Sequence, residues 1–154
     1  MLYLCPRNRK TMTKDALKLS SQVCFPLYAA SREITQRYTK YLTPLDLTYP
    51  QYLVLLVLWE EKTLSLSVNA IGEKLYLDSG TLTPLLKRME AKELLTRTRS
   101  TQDERTVLIS LTEKGKKLQA KAKKIPMQLK EETPLTEEEI ETLRILVNKL
   151  LNHK

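Results

Sequence analysis

Three glycines in 154 residues are too few for a turn-rich all-β fold or a glycine-lined phosphate cradle. The cysteines are only two, Cys5 and Cys24, and the one histidine is His153, so no zinc-ligand set can be assembled. No run of about 20 apolar residues exists that would cross a membrane. The opening MLYLCPRNRK is too short for a secretory leader, and its charges fall on the wrong side. These absences leave a cytoplasmic protein with no membrane partner, no metal and no cofactor motif. A free cysteine in that compartment is either inert core or a reactive thiol.

What is present in excess is positive charge, +8 overall, which favours a polyanionic partner. Its placement weakens that argument. Arg7, Arg9, Lys10 and Lys14 lie in what reads as an N-terminal arm without acids, and the stretch from Gly72 to Lys117 carries ten basic residues against seven acidic. The case for nucleic acid therefore rests on where the basic residues fall.

Residues 1–15 read as a flexible arm, with Met12 an alternative start, and residues 16–154 as a single domain. Apolar residues recur at helical spacing from about Ala16 to Leu42. Pro26 either kinks that helix or begins its regular part. Thr48 caps a second, nearly all-apolar helix from Tyr49 to about Glu61. Ser67 or Asn69 opens a short third helix ending near Tyr76, and Asp78 or Ser79 caps a fourth that runs to about Lys92. LLTRTRS and TVLISL read as two strands around TQDER. Thr112 caps a charged helix to about Lys130, and Thr136 with Glu139 forms a capping box for the last helix. The class is mainly α with a small β-hairpin: a winged helix-turn-helix over about 48–112, between helices at about 16–42 and 113–152.

In that plan the fourth helix enters the major groove of double-stranded DNA. It offers Ser79, Thr81 and Thr83 near its start, where small hydroxyl residues let the backbone approach phosphate, and Lys87 and Arg88 further on. On the hairpin Arg97 and Arg99 alternate along the first strand, and Arg105 follows Asp103 at the tip. A basic tip can enter the narrow minor groove, with Asp103 orienting an arginine. The bland alternatives are an amphipathic helix with a solvated basic face and a solvated turn.

DERTVLISLTEKG, Asp103 to Gly115, resembles the wing segment of the MarR family of transcription regulators. QVCFPLYAASREITQRY, LTYPQYLVLLVLWE and LYLDSGTLTPLLKRME are similar to its OhrR-like group of organic-peroxide sensors, and the likeness runs from about Leu19 to Gly115. The resemblance implies a homodimer held by the first and last helices, repression through an inverted-repeat operator, and wing contacts from Asp103 and Arg105. It also implies that Cys24 is the oxidised thiol and that Tyr38 and Tyr49 are its hydrogen-bond donors. Tyr28, one helical turn after Cys24, would pack nearby. An organic hydroperoxide or other oxidant would convert the thiolate to a sulfenic acid, and apolar Val23, Phe25 and Leu27 nearby would favour an organic peroxide over hydrogen peroxide.

No cysteine follows Cys24, whereas two-cysteine members of the group carry a thiol in the C-terminal region. A low-molecular-weight thiol would then complete the chemistry, a Cys5–Cys24 disulfide being the other route. The alternatives are a MarR-type regulator released by a small aromatic ligand, a thiol peroxidase, and an interaction module that does not bind DNA. Missing turnover machinery counts against the peroxidase, and the hairpin arginines count against the module.

Overall fold

The computed structural model describes residues 17–61, 63 and 65–152. The expectations placed on the N-terminal arm, Met12, Cys5 and His153 fall outside them. The described residues form two compact units, the first ending at Lys123 and the second beginning at Lys124.

In the first unit a short 3-10 turn, Leu19–Ser21, precedes helix α1, Cys24–Leu42. The helix starts at Cys24, well after Ala16 and two residues before Pro26. Proline fits the third helical position because the first N–H groups of a helix have no intrahelical partner. A second 3-10 turn, Thr43–Leu45, ends on Asp46 in the left-handed region (φ 54°) and redirects the chain into α2, Tyr49–Glu60. The Thr48 N–H donates to Gln51 Oε1 at 3.0 Å, which fixes the start of α2.

Helix α2 is the centre of the unit. Tyr52, Val54, Leu55, Val57 and Leu58 are buried, and the helix packs against α1, α3 (Val68–Leu75), α4 (Ser79–Ala91) and α5 (Glu113–Ala122). Its apolar run encircles the axis because neighbours cover nearly every side. The Trp59 indole N–H donates to the Gly115 carbonyl at 3.0 Å, tying α2 to α5.

Strands β2 (Leu95–Arg99) and β3 (Val107–Leu111) pair antiparallel with Leu95 opposite Leu111 and Arg97 opposite Ile109. A third strand, β1 (Leu66–Ser67), adds to the other side of β3, giving the order β1-β3-β2. Two residues are too short to show alternation, so β1 left no readable signal in the sequence.

The long charged helix expected from Thr112 to Lys130 is two helices, α5 and, in the second unit, α6 (Ile125–Glu131). Pro126 is the cause: it cannot donate to the carbonyl of Ala122 and its ring crowds that turn, so it sits where a new helix starts. Helix α7, Glu137–Leu151, opens on the anticipated capping box. Thr136 N–H donates to Glu139 Oε2 at 2.8 Å, and Glu139 N–H to Thr136 Oγ1 at 3.3 Å. Among the described residues no helix is long and apolar enough to cross a membrane.

Candidate nucleic-acid interface and thiol site

The reading unit is built by local hydrogen bonds. Ser67 Oγ accepts from the Ala70 N–H at 3.1 Å and starts α3, which ends on Tyr76 with φ 55°. A Cβ at Gly72 would lie 2.6 Å from the Leu77 carbonyl oxygen, so only glycine lets the turn fold against α3. Asp78 then caps α4, accepting from the Thr81 N–H and from Thr81 Oγ1, each at 2.9 Å. Those bonds hold its carboxyl below the usual carboxylate range.

Helix α4 turns Leu82, Leu85, Leu86 and Met89 inward. Ser79, Thr81, Lys87 and Arg88 are exposed, as expected of a recognition surface. The Thr81 hydroxyl proton is already given to Asp78. Thr83 is half-buried, and it lines a cleft of about 320 Å³ with Ser67, Asn69, Arg97 and Arg105.

The hairpin tip is folded by Asp103. Its Oδ1 accepts from the Arg105 N–H at 3.0 Å, its Oδ2 from Thr106 Oγ1 at 2.9 Å, and its carbonyl from the Thr106 N–H at 2.9 Å. Asp103 thus orients Arg105 through the main chain, where a carboxylate–guanidinium bond was the expectation. Arg105 and Arg99 are exposed, and Arg99 Nη1 reaches the Glu104 carbonyl at 3.5 Å. Arg97 departs from its expected role as an outward contact. It faces α4, with Nη1 3.5 Å from Glu90 Oε2 and its Nε buried without an acceptor. The two-residue period of a strand puts it on the side of the buried Leu95.

Cys24 is the first residue of α1, a free and exposed thiol whose Sγ lies 4.0 Å from Gln22 Oε1. Val23 and Phe25 beside it are exposed, giving it an apolar setting. Tyr28 is exposed too, with the Arg32 guanidinium 5.7 Å above its ring.

The other two tyrosines are elsewhere. Tyr38 and Tyr49 stack across the α1–α2 junction with ring centroids 4.6 Å apart, and Tyr52 lies 5.6 Å from Tyr38. Burial, with smaller contributions from Tyr49 and Tyr52, pushes the Tyr38 phenol up to about 12, and burial raises Tyr49 as well. Both are therefore neutral O–H donors near neutral pH. Cys24 and Tyr38 are fourteen residues apart on one helix, about 21 Å at 1.5 Å per residue. One chain brings the tyrosines to each other and keeps the thiol away.

Two short helices followed by a two-stranded wing, whose inner strand also pairs with the short strand before them, define a winged helix-turn-helix regulator of the MarR type. The family model described as Transcriptional regulator SarA/Rot matches residues 36–122, and the chain belongs to that family. It is 61% identical over 112 residues to the organic hydroperoxide resistance transcriptional regulator of Bacillus subtilis, covering 73% of this chain and 75% of that one. It is 44% identical over 135 residues to the HTH-type transcriptional regulator SarZ of Staphylococcus aureus, covering 85% and 90%. Among solved structures, that of reduced AbfR bound to DNA, a protein of Staphylococcus epidermidis, is 37% identical with a TM-score of 0.74, covering 88% of this chain and 93% of that one. The OhrR-like resemblance is borne out by these relatives.

Proposed function

We propose that the chain is a homodimeric, cytoplasmic transcription repressor, not an enzyme, which reads an inverted-repeat operator and releases it when Cys24 is oxidised. The observation that carries DNA reading is the exposed row Ser79, Thr81, Lys87 and Arg88 on α4, beside a wing whose tip presents Arg105. Helix amides and hydroxyls at the start of α4 suit phosphate, and the two basic residues suit phosphate or a guanine edge. Arg105 suits the negative minor groove. Residues 48–112 form the reader. Apolar side chains left exposed on α1 (Phe25, Ile34) and α7 (Leu143, Leu146) support dimerisation through the flanking helices.

The separation of Cys24 from Tyr38 supports a sensor shared by two chains, the thiol of one protomer meeting the phenols of its partner. Two neutral phenols donate to the thiolate and hold it as the nucleophile. Its sulfur attacks an organic hydroperoxide, taking one oxygen to form a sulfenic acid while the alcohol leaves. A low-molecular-weight thiol then condenses with it, forming a mixed disulfide and water. Either product ends the phenol–thiolate bonds and biases the dimer toward a form that no longer fits both half-sites.

A second reading, release by a small aromatic acid, is favoured by one feature. A cleft of about 510 Å³ between the α1–α2 turn and α5 combines Pro44, Leu45 and Leu118 with Lys117 and Lys121. Binding to the promoter next to its own gene, with and without stoichiometric organic hydroperoxide, separates the two. Peroxide abolishes wild-type binding while Cys24→Ser stays bound. Equal release of both proteins removes Cys24 as the sensor, release of the serine variant by an aromatic carboxylate supports the second reading, and no binding at low salt ends the proposal.

A further inference from the structure

We propose that Glu90 and Arg97 form a clamp that fixes the angle between the recognition helix and the wing, making Arg97 a positioning residue and not a DNA contact. The inference rests on the DNA-reading proposal for its purpose, although the clamp itself is a feature of the free protein.

Strand β2 is an edge of the sheet. The Ser100 N–H donates to Thr106 and the Thr112 N–H to Leu94, so the ladder bonds of β2 and β3 fall at even-numbered residues of β2. At Arg97 the main-chain N–H therefore points away from β3, as edge-strand amides do at alternate positions. It does not face solvent. Glu90 Oε1 accepts it at 3.1 Å, and the other carboxylate oxygen lies 3.5 Å from the guanidinium of the same residue. One carboxylate from the last turns of α4 thus holds both the backbone and the side chain of the wing root.

Sequence spacing explains the reach. Glu90 lies seven residues, two helical turns, after Thr83, and both stand on the flank of α4 that faces the wing. The Arg97 side chain is 20% exposed and that of Glu90 41%, so water screens the pair incompletely. Arg97 Nε is buried without an acceptor, an arrangement that costs stability. An apolar residue would fill the site at lower cost. What an arginine supplies there is a directional link between two elements that must enter adjacent grooves together.

The test compares Arg97→Met, Glu90→Gln and Glu90→Leu with wild type and with Arg105→Ala, scoring affinity per folded molecule. Losing the clamp weakens operator binding by roughly ten-fold, the worth of a charge-assisted bond. Binding to unrelated duplex holds, and the dependence of log affinity on log salt is unchanged. Arg105→Ala, which removes a cation from the DNA, lowers that slope by about one. In the double variant Arg97→Met with Glu90→Leu, the loss is no greater than in either single. Glu90→Gln keeps the acceptor for the main-chain N–H, so it folds and isolates the guanidinium link.

Hydrogen exchange of the wing amides, read without DNA, rises in both Glu90 variants. An Arg97→Met slope lower by about one, with Glu90→Gln silent, makes Arg97 a phosphate contact and overturns the clamp. Unchanged wing exchange in Glu90→Leu overturns it as well. Failure of the wild type to bind any duplex would instead remove the DNA reading, leaving the exchange result to decide the clamp.

Discussion

Replacing Gly115 by alanine tests the packing of the unit at its tightest point. Gly115 is the third residue of α5 and is buried; its N–H donates to Thr112 Oγ1 at 3.1 Å and its carbonyl accepts from Trp59. A Cβ there would stand 2.1 Å from the Leu94 carbonyl oxygen and 3.1 Å from Leu111 Cδ2. The blocking atom is backbone, and the same oxygen accepts from the Thr112 N–H at 3.2 Å, so it cannot turn aside. The start of α5 must shift by about an ångström or more. Overpacking of this kind costs about 1–3 kcal/mol, and weakening the Trp59 bond adds about 0.5–1.5 kcal/mol. The better helix propensity of alanine returns about 1 kcal/mol.

The net loss is about 0.5–3.5 kcal/mol, centred near 2 kcal/mol, a substantial part of the roughly 5–15 kcal/mol that holds a domain together. The central value corresponds to a fall in Tm of about 4–8 °C for a chain of this size. Urea unfolding followed by far-ultraviolet circular dichroism, at one protomer concentration, measures it. Gly80→Ala is the control. Its Cβ would meet only the Asp78 side chain, at 3.0 Å, so stability holds or rises slightly. A Gly115→Ala variant as stable as wild type, or a loss matched by the control, would show that the approach to Leu94 does not require glycine.

Arg105→Ala weakens operator binding by about 1–3 kcal/mol and lowers the salt slope by about one, measured by titration across salt concentrations; unchanged affinity removes the wing from the interface. Alkaline stability tests the tyrosine cluster. Tyr38 titrates at about 12 in the folded chain against 10.0 when unfolded, so the folded state keeps a proton that the unfolded chain gives up. Its contribution is whole below about 10 and is lost as pH rises through the window up to about 12. Tyr38→Phe should flatten the fall in urea midpoint across that window, and an equally steep fall would place the titrating group elsewhere. Gly72→Ala, which would press a Cβ against the Leu77 carbonyl at 2.6 Å, should destabilise the helix-turn-helix, while an unchanged midpoint would show that this turn has room.

Much of the fold was legible because the signals are local. Thr48, Asp78, Thr112 and Thr136 each mark a helix start, three of them through side chains that accept hydrogen bonds from N–H groups within the next turn. The all-apolar α2 likewise states its own burial, whereas the alternation in TVLISL marks the strand but leaves only Ile109 fully buried. Two boundaries were misjudged for equally local reasons. Pro126 divides the helix expected after Thr112, and Pro26 lies inside the first turn of α1, where a missing N–H costs nothing.

What sequence could not settle depends on which way a side chain turns and what lies far along the chain. Arg97, Arg99 and Arg105 look alike in a string of residues. Only the pairing of β2 with β3 turns Arg97 toward Glu90, and only the Asp103 turn presents Arg105 outward. Tyr38 and Tyr49 meet because Asp46 reverses the chain between α1 and α2. Cys24 is kept about 21 Å from Tyr38 along the axis by the length of α1. The residue types that make a reader and a sensor are a property of the sequence, since caps, periodicity and thiol chemistry act over a few residues. Which arginines point outward, and that thiol and phenols cannot meet within one chain, are decided by tertiary structure, because strand pairing and helix length set distances that no short segment encodes.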